Sequence, residues 1–157
     1  MVFDMIRFKV DNKNFILKSN LPTNFNVKSN LKDYKVIWQN GSLKKNIKTL
    51  FKDSKNLFLI DRKVFNLYFP NMSKKNIFLM SARENLKNVN QSIKFTDFLI
   101  KNSATKQTNV IVIGGGIIQG VGAFACAMFK RGIPWTLIPT TLLLSLIHIS
   151  EPTRHHV

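Results

Sequence analysis

Short, mostly apolar runs alternate with amphipathic segments along this 157-residue chain from residue 34 onward. Such runs predict buried strands, and apolar residues recurring every three or four positions predict helices. Their alternation at this spacing predicts βαβ units, and therefore an α/β fold with a parallel sheet flanked by helices and joined by right-handed crossovers. The predicted strands are residues 34–38, 57–60, 77–80, 110–113 and 135–138, and the predicted helices are residues 43–52, 64–69, 86–101 and 117–130.

The region before residue 34 has a different pattern. Residues 6–10 and 14–18 predict short N-terminal strands, with polar turns between them and a loop near residues 22–24. The helix predicted over 86–101 has a loose apolar stripe of Val89, Ile93, Phe98 and Leu99. The length suits one domain, and the chain has neither an internal repeat nor a low-complexity linker.

Two uncharged segments, residues 108–129 and 132–150, are each about long enough to span a bilayer. Gly116 and Gly120 also have the spacing of a helix-packing motif in membranes. However, the first segment contains three consecutive glycines after a β-branched run, and the second contains two prolines. Since buried parallel strands are apolar on both faces, a strand–turn–helix unit has the same hydropathy. We therefore expect no membrane segment.

The formal net charge of +16 makes a nucleic-acid-binding module the alternative from a different functional class. Lysine is mixed with asparagine, isoleucine and phenylalanine over the first hundred residues. No stretch alternates basic with aromatic residues, as a surface that binds single-stranded nucleic acid would. We therefore expect no nucleic-acid partner. The single cysteine, Cys126, excludes an internal disulfide and favours the cytoplasm; it is predicted to be an inert packing residue.

A glycine turn is the strongest local motif. The strand predicted over 110–113 runs into Gly114, Gly115 and Gly116 and then into an apolar helix. Glycines there let the backbone approach a pyrophosphate, whose charge the N–H groups and dipole of the helix N-terminus can stabilise. Glycines in the first helical turn also permit close helix–strand packing. A tight structural turn without a ligand remains the alternative.

Polar side chains follow three other predicted strands. Asp61 ends one strand, where a carboxylate can reach a ribose hydroxyl, and Glu84 and Lys87 follow the next, three residues apart. The latter pair offers a carboxylate for a ribose and an ammonium for a phosphate, although an exposed ion pair is the alternative. Thr140 and Thr141 follow the last strand and place two hydroxyls at the same edge of the sheet.

In this order and spacing the chain resembles the 3-dehydroquinate synthases and their sugar-phosphate cyclase relatives. The resemblance covers about residues 34–143 and is most specific in its last thirty residues. Its motifs are the Asp61 segment with Val64, Glu84-x-x-Lys87, residues 114–118, Arg131-Gly132 and residues 139–143.

Membership of this family implies a Rossmann-like N-terminal domain that binds NAD, and a helical C-terminal domain that binds a divalent metal, zinc or cobalt. It implies a lyase of aromatic amino acid biosynthesis, in the shikimate pathway, that is a homodimer when full length. Such an enzyme transiently oxidises a ring alcohol of a phosphorylated sugar acid, eliminates phosphate, reduces the ketone and closes a carbocycle. The cofactor-binding residues that the resemblance implies are Asp61, Glu84, Lys87, Gly114, Gly115, Gly116, Ile117, Ile118, Gly120, Thr140 and Thr141.

Two positions depart from the family pattern. Gln119 and Gly120 stand where the family usually has Gly-Asp, so a carboxylate near the cofactor is missing, and Lys63 stands where asparagine is common. A cyclase acting on another phosphorylated sugar, in secondary-metabolite or surface-polysaccharide biosynthesis, therefore remains the nearest alternative. Glycerol dehydrogenase-type enzymes share the two-domain plan, but residues 139–143 and the Glu84-x-x-Lys87 motif argue against them.

The sequence changes character after Leu143. The family continues with Ala-Gln-x-Asp and Gly-Gly-Lys segments, whereas residues 144–157 resemble a translated transposase-end adapter from DNA library preparation. We therefore expect residues 1–143 to be a truncated NAD-binding domain and residues 144–157 to be a non-native tail. No catalytic residue is assigned, the chain alone is expected to be inactive, and no metal site is expected from His148, His155 and His156.

Overall fold

The computed structural model describes residues 5–10, 13–18, 24–28, 33–37 and 43–141, and the chain divides into two compact units, residues 1–42 and 43–157. The first unit contains two antiparallel strand pairs. β1 (Met5–Val10) pairs with β2 (Lys13–Lys18), which confirms the predicted N-terminal strands. β3 (Asn24–Val27) pairs with β4 (Tyr34–Ile37).

The place of β4 corrects one prediction. Its sequence was interpreted as the first strand of the βα alternation, but it forms an antiparallel pair with β3, a strand that the sequence did not predict. Three of its four residues are exposed. A strand of the parallel sheet would be buried on both faces.

The second unit is built on a four-stranded parallel sheet, which confirms the predicted fold class. Its strands are β5 (Asn56–Asp61), β6 (Ile77–Met80), β7 (Asn109–Gly114) and β8 (Trp135–Pro139), in the spatial order β6-β5-β7-β8. The two central strands are almost wholly buried and the two strands at the borders of the sheet only partly. The helices are α1 (Leu43–Lys52), α2 (Arg62–Tyr68), α3 (Val89–Lys101) and α4 (Gly116–Met128).

Helices cover both faces of the sheet. On one face, Ile47 of α1 and Phe65 of α2 pack against Phe58 and Ile111. On the other face, α3 and α4 pack against alternate residues of the same strands, with Phe95 and Leu99 of α3 fully buried. The unit is therefore a three-layer, doubly wound arrangement.

The stripe predicted on α3 is correct at Leu99, which is buried, and at Phe98, which packs against the core, but wrong at Val89 and Ile93. Val89 and Ile93 are more than half exposed, whereas Ser92, Phe95 and Leu99 are buried. The helix also begins at Val89 rather than at residue 86, because the Asn88 side chain caps it by accepting a hydrogen bond from the Gln91 N–H at 3.1 Å. Residues 84–86 form a separate 3-10 turn.

Cys126 is a packing residue, as predicted. Its side chain is buried in the cluster between α4 and the sheet. Burial raises the pKa of the Cys126 thiol to about 12, so the reactive thiolate is disfavoured. Within the described ranges, no helix has the length and apolar character needed to cross a membrane.

Gly122 lets α4 lie close to the strands. A Cβ at this position would stand 2.7 Å from Val112 Cγ2 and 3.0 Å from Leu59 Cδ2, whereas a Cβ at Gly120 would meet nothing within 4 Å. Overpacking of this kind costs about 1–3 kcal/mol, so Gly122→Ala should lower the free energy of unfolding by about that amount. Gly120→Ala should instead raise it by up to about 1 kcal/mol through helix propensity. Urea unfolding of both variants measures these changes. A change of the same sign in the two free energies of unfolding would contradict the close contact at Gly122.

Candidate cofactor-binding site

The loops that contain the predicted cofactor residues all follow the carboxyl ends of the four parallel strands. Gly114 lies opposite Pro139 in the register of β7 and β8, and Asp61 lies opposite Met80 in that of β5 and β6. Ile60 lies opposite Ile113, so Asp61 and Gly114 end the two central strands at the same level. We call this border of the sheet the carboxyl edge.

The strand order creates a crevice at this edge. From β5 the chain crosses through α2 to β6 on one side, whereas from β7 it crosses through α4 to β8 on the other side. Two neighbouring strands with connections in opposite directions form a topological switch point, where open α/β sheets bind ligands. Asp61 and the glycine turn, Gly114–Gly116, lie on the two sides of this point.

The glycine turn is shaped by close packing. A Cβ at Gly114 would lie 2.7 Å from Ile118 Cβ, and a Cβ at Gly115 would lie 3.0 Å from Thr141 Cγ2. Gly114 therefore permits the close helix–strand packing that the sequence predicted. Gly115 is buried against Thr141 and connects the turn with the end of β8. The turn and the threonine loop thus form adjoining parts of one surface.

The N-terminus of α4 begins in this turn and has no side-chain cap. Its N-cap is Gly115, whereas Asp61 caps α2 and Asn88 caps α3 through side-chain oxygens. The first N–H groups of a helix have no partner within the helix. At α4 no side chain of the N-cap residue occupies these groups, so within the described ranges they can face an anion at the switch point, together with the positive end of the helix dipole.

Gln119 is a buried polar residue that the sequence interpretation treated only as a departure from the family. Its side chain is 5% exposed, and its Nε2 donates to the Gly114 carbonyl at 3.0 Å. The Thr140 N–H donates to the same oxygen at 3.2 Å. The one sequence signal for this role was an amide within an otherwise apolar helical segment.

Asp61 has a structural role in addition to its predicted one. The residue is 8% exposed, and its Oδ1 accepts a hydrogen bond from the Lys63 N–H at 3.0 Å, which caps α2. A carboxylate has two oxygens and can accept further bonds. The cap fixes the position of this side chain at the switch point.

Glu84 and Lys87 lie in and beside the 3-10 turn that follows β6. Glu84 Oε1 and Lys87 Nζ are 3.9 Å apart, and the two side chains are 81% and 58% exposed. An exposed ion pair of this kind contributes little to stability. Both groups therefore remain accessible to a ligand at the carboxyl edge.

Arg131 and Gly132 lie away from the other motifs. They connect α4 to the start of β8, at the opposite edge of the sheet, and both have positive φ angles, 65° and 101°. The Ile133 N–H then donates to the Cys126 carbonyl and closes the turn. This part of the family signature shapes the chain reversal rather than the crevice.

The described residues offer no metal centre. Within the described ranges, no group of three or more His, Cys, Asp or Glu side chains could hold a metal ion. His148, His155 and His156, for which no metal site was predicted, lie outside these ranges, as does the rest of the predicted tail.

Comparison with known proteins places this geometry in a family. Residues 77–148 match the family model of the 3-dehydroquinate synthase N-terminal region. The 3-dehydroquinate synthase of Streptococcus pyogenes serotype M5 (strain Manfredo) is 31% identical over 131 residues, which cover 78% of this chain and 37% of that protein. The chain belongs to the 3-dehydroquinate synthase family.

A second relative in the 3-dehydroquinate synthase family comes from Buchnera aphidicola subsp. Cinara cedri (strain Cc). That 3-dehydroquinate synthase is 34% identical over 106 residues, which cover 62% of this chain and 29% of the relative. The chain thus spans 37% of the length of the first of these relatives and 29% of the length of the second.

Solved structures of sugar-phosphate cyclases share the fold of this 3-dehydroquinate synthase family member. A 2-deoxy-scyllo-inosose synthase complexed with carbaglucose-6-phosphate, NAD⁺ and Co²⁺ aligns with a TM-score of 0.60 at 18% identity, over 77% of this chain and 36% of that one. The 2-epi-5-epi-valiolone synthase of Streptomyces hygroscopicus subsp. jinggangensis 5008, with NAD⁺ and Zn²⁺ bound, aligns with a TM-score of 0.55 at 22% identity, over 64% of this chain and 31% of that one.

Proposed function

We propose that residues 1–143 are the NAD-binding domain of a 3-dehydroquinate synthase-like lyase. The observation that carries the proposal is the uncapped N-terminus of α4, which begins in a glycine turn at the switch point of the sheet. A pyrophosphate is the ligand that this arrangement suits, because it brings negative charge and acceptor oxygens to free N–H donors. The bound NAD⁺ of the two cyclase structures supports the choice of dinucleotide.

The surrounding residues have complementary proposed roles. The backbone from Gly114 to Ile118 binds the pyrophosphate, and Gly120, where a Cβ would meet nothing within 4 Å, is a further proposed cofactor contact on α4. The carboxylates of Asp61 and Glu84 accept hydrogen bonds from ribose hydroxyls, and Lys87 stabilises phosphate charge. Thr140 and Thr141 contact the cofactor from the opposite side of the crevice. When bound, NAD supplies a hydride acceptor for oxidation of a ring alcohol.

The whole enzyme requires more than the described residues provide. We propose that its divalent metal, zinc or cobalt, is bound by residues of a second domain, as the family resemblance implies; the Zn²⁺ and Co²⁺ of the two cyclase structures support the presence of a metal. The 157-residue chain alone is therefore expected to bind cofactor without turnover. We further propose that the full-length enzyme is a homodimer and that it is cytoplasmic.

The proposed substrate is the phosphorylated sugar acid of the shikimate pathway. The names of the matching curated relatives support this choice over the other sugar-phosphate cyclases. The replacement of the family's Gly-Asp by Gln119 and Gly120 favours the alternative of a cyclase acting on another phosphorylated sugar. Measuring the turnover of each substrate class by the full-length enzyme distinguishes these two possibilities.

The role of Glu84 gives a quantitative test of this proposal. If its carboxylate binds a ribose, Glu84→Ala should weaken NAD binding by about 1–3 kcal/mol, the scale of a charge-assisted hydrogen bond. Stability should change by less than about 1 kcal/mol, because the ion pair with Lys87 is exposed. Calorimetric titration of NAD into the 157-residue chain measures the first quantity.

The matched control is Asp97→Ala, which removes another exposed carboxylate, on α3. It should leave NAD affinity unchanged. Equal affinities for wild type, Glu84→Ala and Asp97→Ala would exclude Glu84 from the site. Absence of NAD binding by the wild-type chain would contradict the proposed function itself.

A further inference from the structure

The Gly114 carbonyl is bound from two sides. The Gln119 side-chain Nε2 donates to it from within α4 at 3.0 Å, and the Thr140 N–H donates to it from the end of β8 at 3.2 Å. This single oxygen therefore joins the glycine turn to both of its neighbouring elements. The Gln119 N–H also donates to the Gly115 carbonyl at 3.0 Å, in the first turn of the helix.

Fixing this carbonyl also fixes the N–H of the next residue. The described chain has no cis peptide bond, and in a planar trans peptide the C=O and N–H point in opposite directions. The two hydrogen bonds on the Gly114 oxygen thus determine the direction of the Gly115 N–H. This N–H lies in the turn that is proposed to bind the pyrophosphate.

A turn of three glycines has an intrinsic disadvantage as a binding site. Glycine has the greatest backbone freedom, so ordering it upon binding carries a large entropic cost. A site whose backbone is already held in the bound orientation avoids part of that cost. In this chain a buried side-chain amide, Gln119, provides such a restraint.

We propose that Gln119 is a positioning residue that orients the Gly114–Gly115 peptide for the cofactor. The inference deepens the proposed function and rests on it. The residue that usually occupies this position in the family is glycine, which has no side chain to reach the Gly114 oxygen. Gln119 therefore supplies a restraint that a glycine at this position could not supply.

The test replaces Gln119 with methionine, which has a similar length and no donor. The Kd for NAD should rise by about three- to tenfold, the range that corresponds to the loss of one hydrogen bond. Hydrogen exchange at the Gly115 and Thr140 amides of the free chain should become faster, because their peptide groups lose a restraint. Gln107→Met, the same substitution at an exposed position before β7, should change neither quantity.

The outcomes separate the possible roles. Unchanged NAD affinity in Gln119→Met would overturn the positioning role, whether or not amide exchange changes, and would leave Gln119 as a packing residue. If the methionine variant does not fold, Gln119→Ala, which removes the donor without adding apolar volume, is measured in its place. Failure of the wild-type chain to bind NAD would instead overturn the proposed function, and faster exchange at Gly115 and Thr140 would even then support the restraint on the peptide.

Discussion

Gly115→Val is expected to reduce NAD affinity by at least about a hundredfold, equivalent to about 2.7 kcal/mol. The valine side chain would lie at the start of α4 between the glycine turn and Thr141, where we propose that the pyrophosphate approaches the N–H groups. The backbone of Gly115, with φ −82° and ψ −173°, lies in a region that valine also adopts. The loss should therefore come from blocked access rather than from backbone strain.

The variant must be shown to fold, because its Cβ would lie 3.0 Å from Thr141 Cγ2. Thr141 is exposed at the end of the described chain, so a small shift of its side chain should suffice. Ala127→Val places the same side chain at an exposed position near the other end of α4 and should leave NAD affinity unchanged. Wild-type affinity in a folded Gly115→Val chain would refute the assignment of the glycine turn.

Phe95→Ala should lower the free energy of unfolding by about 3–5 kcal/mol, the usual cost of removing a buried aromatic ring. Phe95 is fully buried between α3 and the sheet, and its ring centroid lies 5.5 Å from that of Phe78 and 6.0 Å from that of Phe98. The cavity left by the ring would remove contacts on several sides.

The control for this prediction is Phe124→Ala, since the Phe124 side chain on α4 is 48% exposed. Its substitution should cost less than about 1 kcal/mol, because much less apolar area returns to water. Denaturant unfolding of the two variants gives the comparison. Similar losses of stability would contradict the described position of α3 against the sheet.

The parallel sheet could be predicted because its signal is local. Residues 57–60 and 110–113 are apolar without alternation, as strands buried on both faces require. The carboxyl-edge location of Asp61 and Gly114 followed from the same pattern, since the loops after parallel strands meet at one edge. The strand order and register in the structure added one further fact, namely which of these loops are neighbours at that edge.

Other features depend on contacts that the local pattern does not contain. On α3, both Val89 with Ile93 and Phe95 with Leu99 have helical spacing, and only packing against the sheet decides which pair is buried. β3 and β4 pair although both strands mix polar with apolar residues, so no apolar run marks them as partners. The bond from Gln119 to Gly114 depends on a side-chain conformation, and sequence indicated only that an amide interrupts an apolar segment.

The domain boundary predicted at Leu143 stays a prediction. The family model extends to residue 148, whereas the described part of the chain ends at Thr141. Genomic sequence past the codon for Leu143 would show whether residues 144–157 are native.

The central claim is that NAD binds at the switch point on the carboxyl edge of the sheet. Titration of NAD into the uniformly ¹⁵N-labelled 157-residue chain, followed by amide resonances, tests it most directly. The account predicts the largest shifts at residues 114–118, with further shifts near Asp61, Glu84 and Thr140. Shifts confined to the opposite edge, around residues 104–109 and 131–134, or no saturable shift at all, would contradict it.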